Sequence, residues 1–186
     1  SLLAGANYQI TWTSNDVTNV NIEYSTDGGI NWLPPIVSNY DATLGNYTWL
    51  VPNTLSNNCL VKISKSDELA INDISDTAFR IYKPSIQVVS PNGGENWRVD
   101  SNAVIKWISF DISNVKIEYT TDDGVNWTTV SFSEPDAPKE YSWQVPNVIS
   151  NNVKVKLSSV DNSSIFDISD ASFRIYKPTL TLTAPN

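Results

Sequence analysis

At 186 residues the chain is long enough for one or two domains that each bury a core. Hydrophobic residues make up 40% and aromatics 11% against 17% charged, the balance of a folded, strand-rich chain rather than a disordered one. A net charge of −8 argues against nucleic acid or an anionic membrane surface as partner, because neither attracts an acidic chain.

Histidine and methionine are absent and Cys59 is the single cysteine, so no intrachain disulfide and no thiolate metal cluster can form. Aligned with Val153 in the repeat described below, Cys59 reads as a small buried apolar residue. No apolar run approaches the ~20 residues of a membrane-spanning helix. No signal peptide opens the chain, and because it starts mid-pattern at SLLAG any export signal is expected upstream.

Taken in order, the chain repeats itself. Ile10 and Trp12 match Ile105 and Trp107, and Val20, Ile22 and Tyr24 match Val115, Ile117 and Tyr119. STDGGINW (Ser25 to Trp32) returns as TTDDGVNW (Thr120 to Trp127), and YTWLVPN (Tyr47 to Asn53) as YSWQVPN (Tyr141 to Asn147). SNNCLVKIS then matches SNNVKVKLS, and DISDTAFRIYKP matches DISDASFRIYKP (Asp167 to Pro178). The offset changes by one residue in the loop after the STDGGINW stretch. A period of this size means an array of domains.

Within the second repeat, apolar and polar residues alternate with a period of two. That pattern predicts seven strands, at about Ile86–Val89, Ala103–Ile108, Asn114–Thr120, Trp127–Ser131, Glu140–Gln144, Val153–Ser158 and Ser172–Tyr176. The connections are rich in Pro, Asn, Asp and Ser, and no segment carries a helical stripe. The expected fold class is all-β: tandem immunoglobulin-like or fibronectin-III-like antiparallel β-sandwiches, without the cysteine pair. Residues 1–84 form the first module and 85–178 the second. Lys83, Pro84 and Ser85 are all that join their flanking strands, a link short enough to be semi-rigid.

The S/T-x-D-x-G-x-x-W stretch is expected to be a β-hairpin. Gly29 and Gly124 suit positive φ, and the Asp27 and Asp122 carboxylates can accept from turn amides.

The ends of the chain carry a different signal. Ser1 aligns with Asn96, so the first module lacks a counterpart of SIQVVSPNGGE, its opening strand. TLTLTAPN, residues 179–186, aligns with SIQVVSPN and is the opening strand of a further module or a donor strand, with Leu180 and Leu182 as its inward residues. Two inward side chains contribute roughly 1.5–3 kcal/mol each, against about 5–15 kcal/mol for a whole domain. Either the chain is a stretch of a longer array, or neighbouring copies donate the strand head to tail and build fibres.

SPNGGENWRVDSNAVIKW (Ser90 to Trp107) followed by VKIEYTTDDGVNW resembles the Kre9/Knh1-like (Ser-Thr-rich, GPI-anchored) family of β-sandwich modules, whose bacterial members repeat in secreted and surface proteins. The pieces that carry the resemblance are PNGGE-x-W, I-x-W and the hairpin. It departs at Asp100, where a glycine is expected and where the first repeat has Gly5. The family implies an extracellular immunoglobulin-like fold without an established catalytic activity. The hairpin alone also resembles the Asp-box of sialidase-type propellers, but one copy in ~95 residues does not suit propeller blades of about 40–50 residues.

Candidate sites are few. Seven tryptophans raise sugar stacking, for which Trp32 and Trp127 at the hairpin ends are the candidates. The pairs Trp12 and Trp107, Trp32 and Trp127, and Trp49 and Trp143 recur in both modules, the first on an inward-alternating strand, and Trp97 is replaced by Leu2. Asp27, Asp122 and Asp123 in the turns, and Asp73, Asp76, Asp167 and Asp170 in the DISD segments, raise calcium. Calcium takes six to eight oxygens, and turn chemistry accounts for the same residues. No catalytic residue, cofactor or resident metal is expected. The chain reads as a structural repeat of a secreted or cell-surface protein, a spacer or adhesion stalk. Its expected partners are neighbouring copies, adjacent modules or surface glycans, with no nucleic acid and no membrane insertion. The alternative is an accessory carbohydrate-binding module.

Overall fold

The computed structural model describes residues 1–184. It is an all-β chain of two compact units, one of Ser1–Lys83 and one beginning at Pro84.

In the second unit β9 (Ser85–Ser90), β11 (Asn102–Phe110) and β14 (Glu140–Gln144) form a three-stranded sheet with β11 in the middle. The facing sheet runs β10 (Asn96–Arg98), β17 (Phe173–Tyr176), β15 (Ser150–Ser159), β12 (Asn114–Thr120), β13 (Thr128–Pro135). A short β16 (Phe166–Ile168) also pairs with β15. β10 and β17 are parallel; the other pairings are antiparallel. The alternation works as the sequence demands. Ile105, Trp107, Val115, Ile117, Val153, Val155, Leu157, Phe173 and Ile175 all turn inward and are buried, in one continuous core that includes Ile86 and Val88.

The seven expected strands are present, most of them longer at the ends. Two more, β10 and β16, carry only three residues each, too few to establish a period. They exist because a neighbour pairs with them.

The first unit has the same plan with one strand fewer. Its larger sheet runs β1 (Leu2–Leu3), β8 (Phe79–Tyr82), β6 (Ser56–Lys65), β3 (Asn19–Ser25), β4 (Val37–Asp41), with β7 (Glu68–Ile74) also on β6. The other sheet is only β2 (Asn7–Thr11) paired with β5 (Asn46–Leu50). A single 3₁₀ turn, Ala42–Leu44, is capped by the Asp41 carboxylate accepting from the Thr43 amide and closed by Gly45 at φ 67°. β4 starts later after the hairpin than β13 does, because Pro34 and Pro35 cannot donate to a ladder.

The turn after β10, and its counterpart after β1, show why a glycine suits this position. Asp100 sits at φ 59° and its counterpart Gly5 at φ 81°. The amide of each donates to the carbonyl of the valine just after β14 or β5, Val145 and Val51, at 3.0 and 2.8 Å. The left-handed conformation is thus used by both modules, and Asp tolerates it better than most residues.

Candidate functional site: an open strand slot in the first module

β9 shows what the first module lacks. It lies antiparallel to the far half of β11, with Trp107 opposite Val88, Ile108 opposite Gln87, Ser109 opposite Ile86 and Phe110 opposite Ser85. A register shift between Lys106 and Trp107 marks where β11 takes on this partner. Ile86 and Val88 face the core. The Val88 amide donates to the Asp167 carboxylate at 2.7 Å, and the Ser169 hydroxyl donates to the Pro91 carbonyl at 2.7 Å. Beyond β9, the PNGGE loop is fastened to the last strands. The Asn92 and Gly93 amides donate to the two Glu95 carboxylate oxygens, and the Asp170 amide donates to Asn92 Oδ1. Gly93, at φ 132°, has no room for a Cβ, which would stand 2.6 Å from that of Ala171.

The equivalent place in the first module is an open groove of about 960 Å³. Ile10, Trp12, Val61, Ile63 and Phe79 line it and are half-buried, whereas Ile105, Trp107, Val155, Leu157 and Phe173 are buried. The core is accordingly divided into two clusters, one around Trp49, Cys59 and Ile81 and one around Val20, Ile22 and Ala42. β2 stops at Thr11, while β11 continues to Phe110 over the residues that pair with β9. Trp12 to Asn15 therefore lie in no strand, although the Trp12 amide donates to the Gly45 carbonyl at 3.0 Å as Trp107 does to Lys139 at 3.2 Å.

Polar groups of the missing pairing are already in place. Asp73 and Ser75, the counterparts of Asp167 and Ser169, line the groove. Ser75 Oγ accepts from the Val61 amide at 3.1 Å, as Ser169 Oγ does from Val155 at 3.0 Å. Ser64 also lines the groove. Its hydroxyl is buried, and it has no hydrogen-bond partner among the described residues, a costly state for a polar group.

Leu180 and Leu182, the expected donor residues, are exposed, and residues 179–184 belong to no strand. Pro185 and Asn186, the end of that segment, lie outside the described residues.

The two hairpins are nearly superimposable in chemistry. Ser25 and Thr120 are buried at the ends of β3 and β12. Ser25 Oγ accepts from the amides of Asp27 and Gly29 and donates to Asp27 Oδ1 at 2.7 Å. Thr120 does the same for Asp122 and Gly124. The Asp27 carboxylate also accepts from the Asn31 amide and side chain at 2.9 and 2.7 Å, and Asp122 likewise from Asn126. These bonds, the Asn backbone donor first, then the Ser or Thr hydroxyl, hold both carboxyls down at about 2. Gly29 and Gly124, at φ 89° and 98°, lie against the Trp32 and Trp127 rings. Lys62 and Lys156 stand over those same rings at 4.4 and 4.5 Å. Each indole is therefore built into a Gly–Trp–Lys stack, and the lysines continue to Glu23 and Glu118 at 2.7 and 2.8 Å.

The acidic residues considered for calcium are dispersed. Asp123 pairs with Lys154 at 2.9 Å and accepts from Ser172, Asp167 accepts from Val88, and Asp170 accepts from Asn92 Nδ2. No cluster of three or more His, Cys, Asp or Glu side chains suited to a metal occurs among the described residues. The role of Asp167 was hidden in the sequence, because the amide it serves lies 79 positions away. Its signal was the recurrence of an aspartate at 73 and 167 ahead of the last strand.

No family model matches the chain, and no curated protein matches it. Among solved structures it is similar to an I-band fragment of titin, at 12% identity and a TM-score of 0.51, covering 95% of this chain and 62% of that one. It is also similar to fibronectin(III)-like modules of Clostridium thermocellum CbhA (16% identity, TM-score 0.39, 100% of this chain and 93% of that one). A third is the Bacteroides ovatus mixed-linkage glucan locus protein SGBP-B in complex with a heptasaccharide (14%, 0.33, 95% and 42%). With the strand order above, the titin likeness places the fold among the immunoglobulin-like and fibronectin-III-like β-sandwiches.

Proposed function

We propose that this chain is a structural repeat of an extracellular or cell-surface protein, a spacer or adhesion stalk. The observation that carries the proposal is that one β-sandwich plan is built twice in tandem, down to the same hairpin bonds and the same serine accepting from the neighbouring strand in each unit. The PNGGE-x-W, I-x-W and hairpin pieces that resemble the Kre9/Knh1-like family support the extracellular setting. Both hairpin carboxylates are fully engaged within the turn, which supports a scaffold role for that motif rather than a catalytic one. Glycan stacking on Trp32 or Trp127 is the less favoured reading, since a lysine occupies one face of each ring.

Antibody labelling of intact cells that produce the full-length protein tests the setting. Labelling without permeabilisation is expected. Labelling only after permeabilisation removes the extracellular or cell-surface role.

A further inference from the structure

We infer that Asn162, in the turn between β15 and β16, is an N-glycosylation site, and that the folded second module presents it while the chain's other acceptor sequences are withheld. The sugar donor is a glycosyl diphosphate, lipid-linked or nucleotide-linked. Such a site goes beyond the spacer or stalk role proposed above.

The sequence holds three N-x-S/T acceptors, Asn46-Tyr47-Thr48, Asn126-Trp127-Thr128 and Asn162-Ser163-Ser164. In the transfer, the Asn Nδ2 attacks the anomeric carbon of the sugar and the bond from that carbon to the diphosphate oxygen breaks. The diphosphate leaves, and the nitrogen gives one proton to a base of the transferase. The reaction therefore needs a carboxamide nitrogen free of protein partners, a backbone that can enter a cleft, and a free hydroxyl two residues on.

Two of the three acceptors fail these requirements in the folded chain. Asn46 lies in β5 opposite Thr11, its Nδ2 donates to the Leu44 carbonyl at 2.8 Å, and its Oδ1 accepts from Gln9. Its middle residue, Tyr47, packs edge-on against Tyr40. Asn126 is exposed, but its Nδ2 donates to Asp122 at 2.7 Å and its backbone amide to the same carboxylate at 2.9 Å. The middle residue there is Trp127, whose ring N–H donates to the Gly124 carbonyl and whose face is covered by Lys156. Modification of Asn126 would dismantle the hairpin.

Asn162 meets all three requirements. It, Ser163 and Ser164 are exposed. Asn162 Oδ1 accepts from the Ser164 amide at 3.1 Å, and the Ile165 amide donates to the Asn162 carbonyl at 3.0 Å. This turn sets the acceptor carboxamide beside the serine that a transferase reads. Neither Asn162 Nδ2 nor the Ser164 hydroxyl has a partner among the described residues. The first module shows that the turn is particular to the second. Glu68–Ile74, aligned with residues 162–168, is strand throughout as β7, whereas β16 begins only at Phe166. With Asn162, Ser163 and Ser164 in place of Glu68, Leu69 and Ala70, the segment leaves the ladder for the surface, where a bulky, solvating glycan disturbs no core.

Glycopeptide mass spectrometry of the full-length protein from the cells that produce it tests the site. Trypsin releases residues 157–174, which hold Asn162 and no other acceptor. This peptide is expected to carry a sugar on Asn162 that is lost in Asn162→Gln and Ser164→Ala and kept in Ser164→Thr, with Asn46 and Asn126 bare. A preassembled oligosaccharide assigns the lipid-linked donor and a single hexose the nucleotide-linked one. A bare Asn162 in protein that antibodies detect at the cell surface overturns the site and leaves the proposed setting intact. A sugar on Asn162 of protein confined within the cell keeps the site and removes that setting.

A second measurement separates the fold from the sequence. The folded, unmodified chain is incubated with a soluble N-glycosyltransferase and its nucleotide sugar, and so are synthetic peptides of the Asn162 and Asn126 acceptors. The ratio of modification at Asn162 to that at Asn126 should be about ten-fold or more higher in the chain than in the peptides, because Asn126 must first break bonds to a charged carboxylate. Equal ratios in chain and peptides would overturn the selection by the fold.

Discussion

The two modules differ by one strand, and comparing them shows what that strand does. In the second, β9 closes the gap between the sheets, the core is continuous and β11 runs nine residues. In the first, with similar side chains at matching positions, the core divides into two clusters and β2 ends after five residues. Ile10, Trp12, Val61 and Ile63 are no less apolar than their counterparts; they are less buried because nothing lies on them. An opening strand therefore does more than add its own contacts. It turns the far half of its neighbour into strand and joins two apolar clusters into one, so its energetic effect exceeds the burial of two side chains.

The largest expected effect comes from making the second module like the first. Val88→Asp places a carboxylate in a core position beside Asp167 and should destabilise that module by about 3–4 kcal/mol. Hydrogen exchange read residue by residue should show Trp107 to Phe110 losing protection toward the level of Trp12 to Asn15, while β12 and β15 keep theirs. If residues 107–110 remain protected in the variant, β9 is not what makes them strand, and the comparison between the modules fails.

Much of this architecture was legible in the sequence. Alternation located seven of the nine strands of the second module, and the repeat shows which positions of the first correspond to them. Three features were not. β10 and β16 are held by pairing with β17 and β15, and three residues are too few to establish a period. Asp167 acts on an amide far away in sequence, and a carboxylate in a turn-rich segment is equally suited to closing its own turn. The contact of Lys156 with Trp127 joins β15 to the turn that precedes β13, a pairing that periodicity alone does not supply.

A smaller effect tests whether the shared hairpin is equivalent in the two modules. Asp27 and Asp122 have folded values of about 2 against an ordinary 3.8. A depressed carboxyl stabilises the fold in full above its unfolded value, and that contribution is lost as pH falls through the folded one. Both modules should therefore lose melting temperature as pH drops from about 4 to about 2, on this account by similar amounts. Asp27→Asn should flatten the acid limb of the first module only, and Asp122→Asn that of the second. Thermal melts of the two variants across this pH range check it. An acid limb left unchanged by both substitutions would assign it to other depressed carboxyls, such as Asp136 and Glu118.

The smallest effect concerns the turn where Gly5 and Asp100 share a left-handed backbone. A Cβ at Gly5 meets nothing within 4 Å, so substitution there is limited by backbone conformation rather than by space. Gly5→Ala should cost the first module about 1 kcal/mol, because alanine has no polar side chain to support φ near 80°. Asp100→Gly should stay within about 0.5 kcal/mol of the parent. Glycine relieves the strain at φ 59°, but it also gives the unfolded chain more conformations to lose on folding, and the two terms offset. Denaturant midpoints for each module measure both. A large gain from Asp100→Gly would mean that the second module tolerates real strain at this turn and can do so because β9 has stabilised the rest of it. A large loss would give the Asp100 side chain a supporting role that glycine cannot replace.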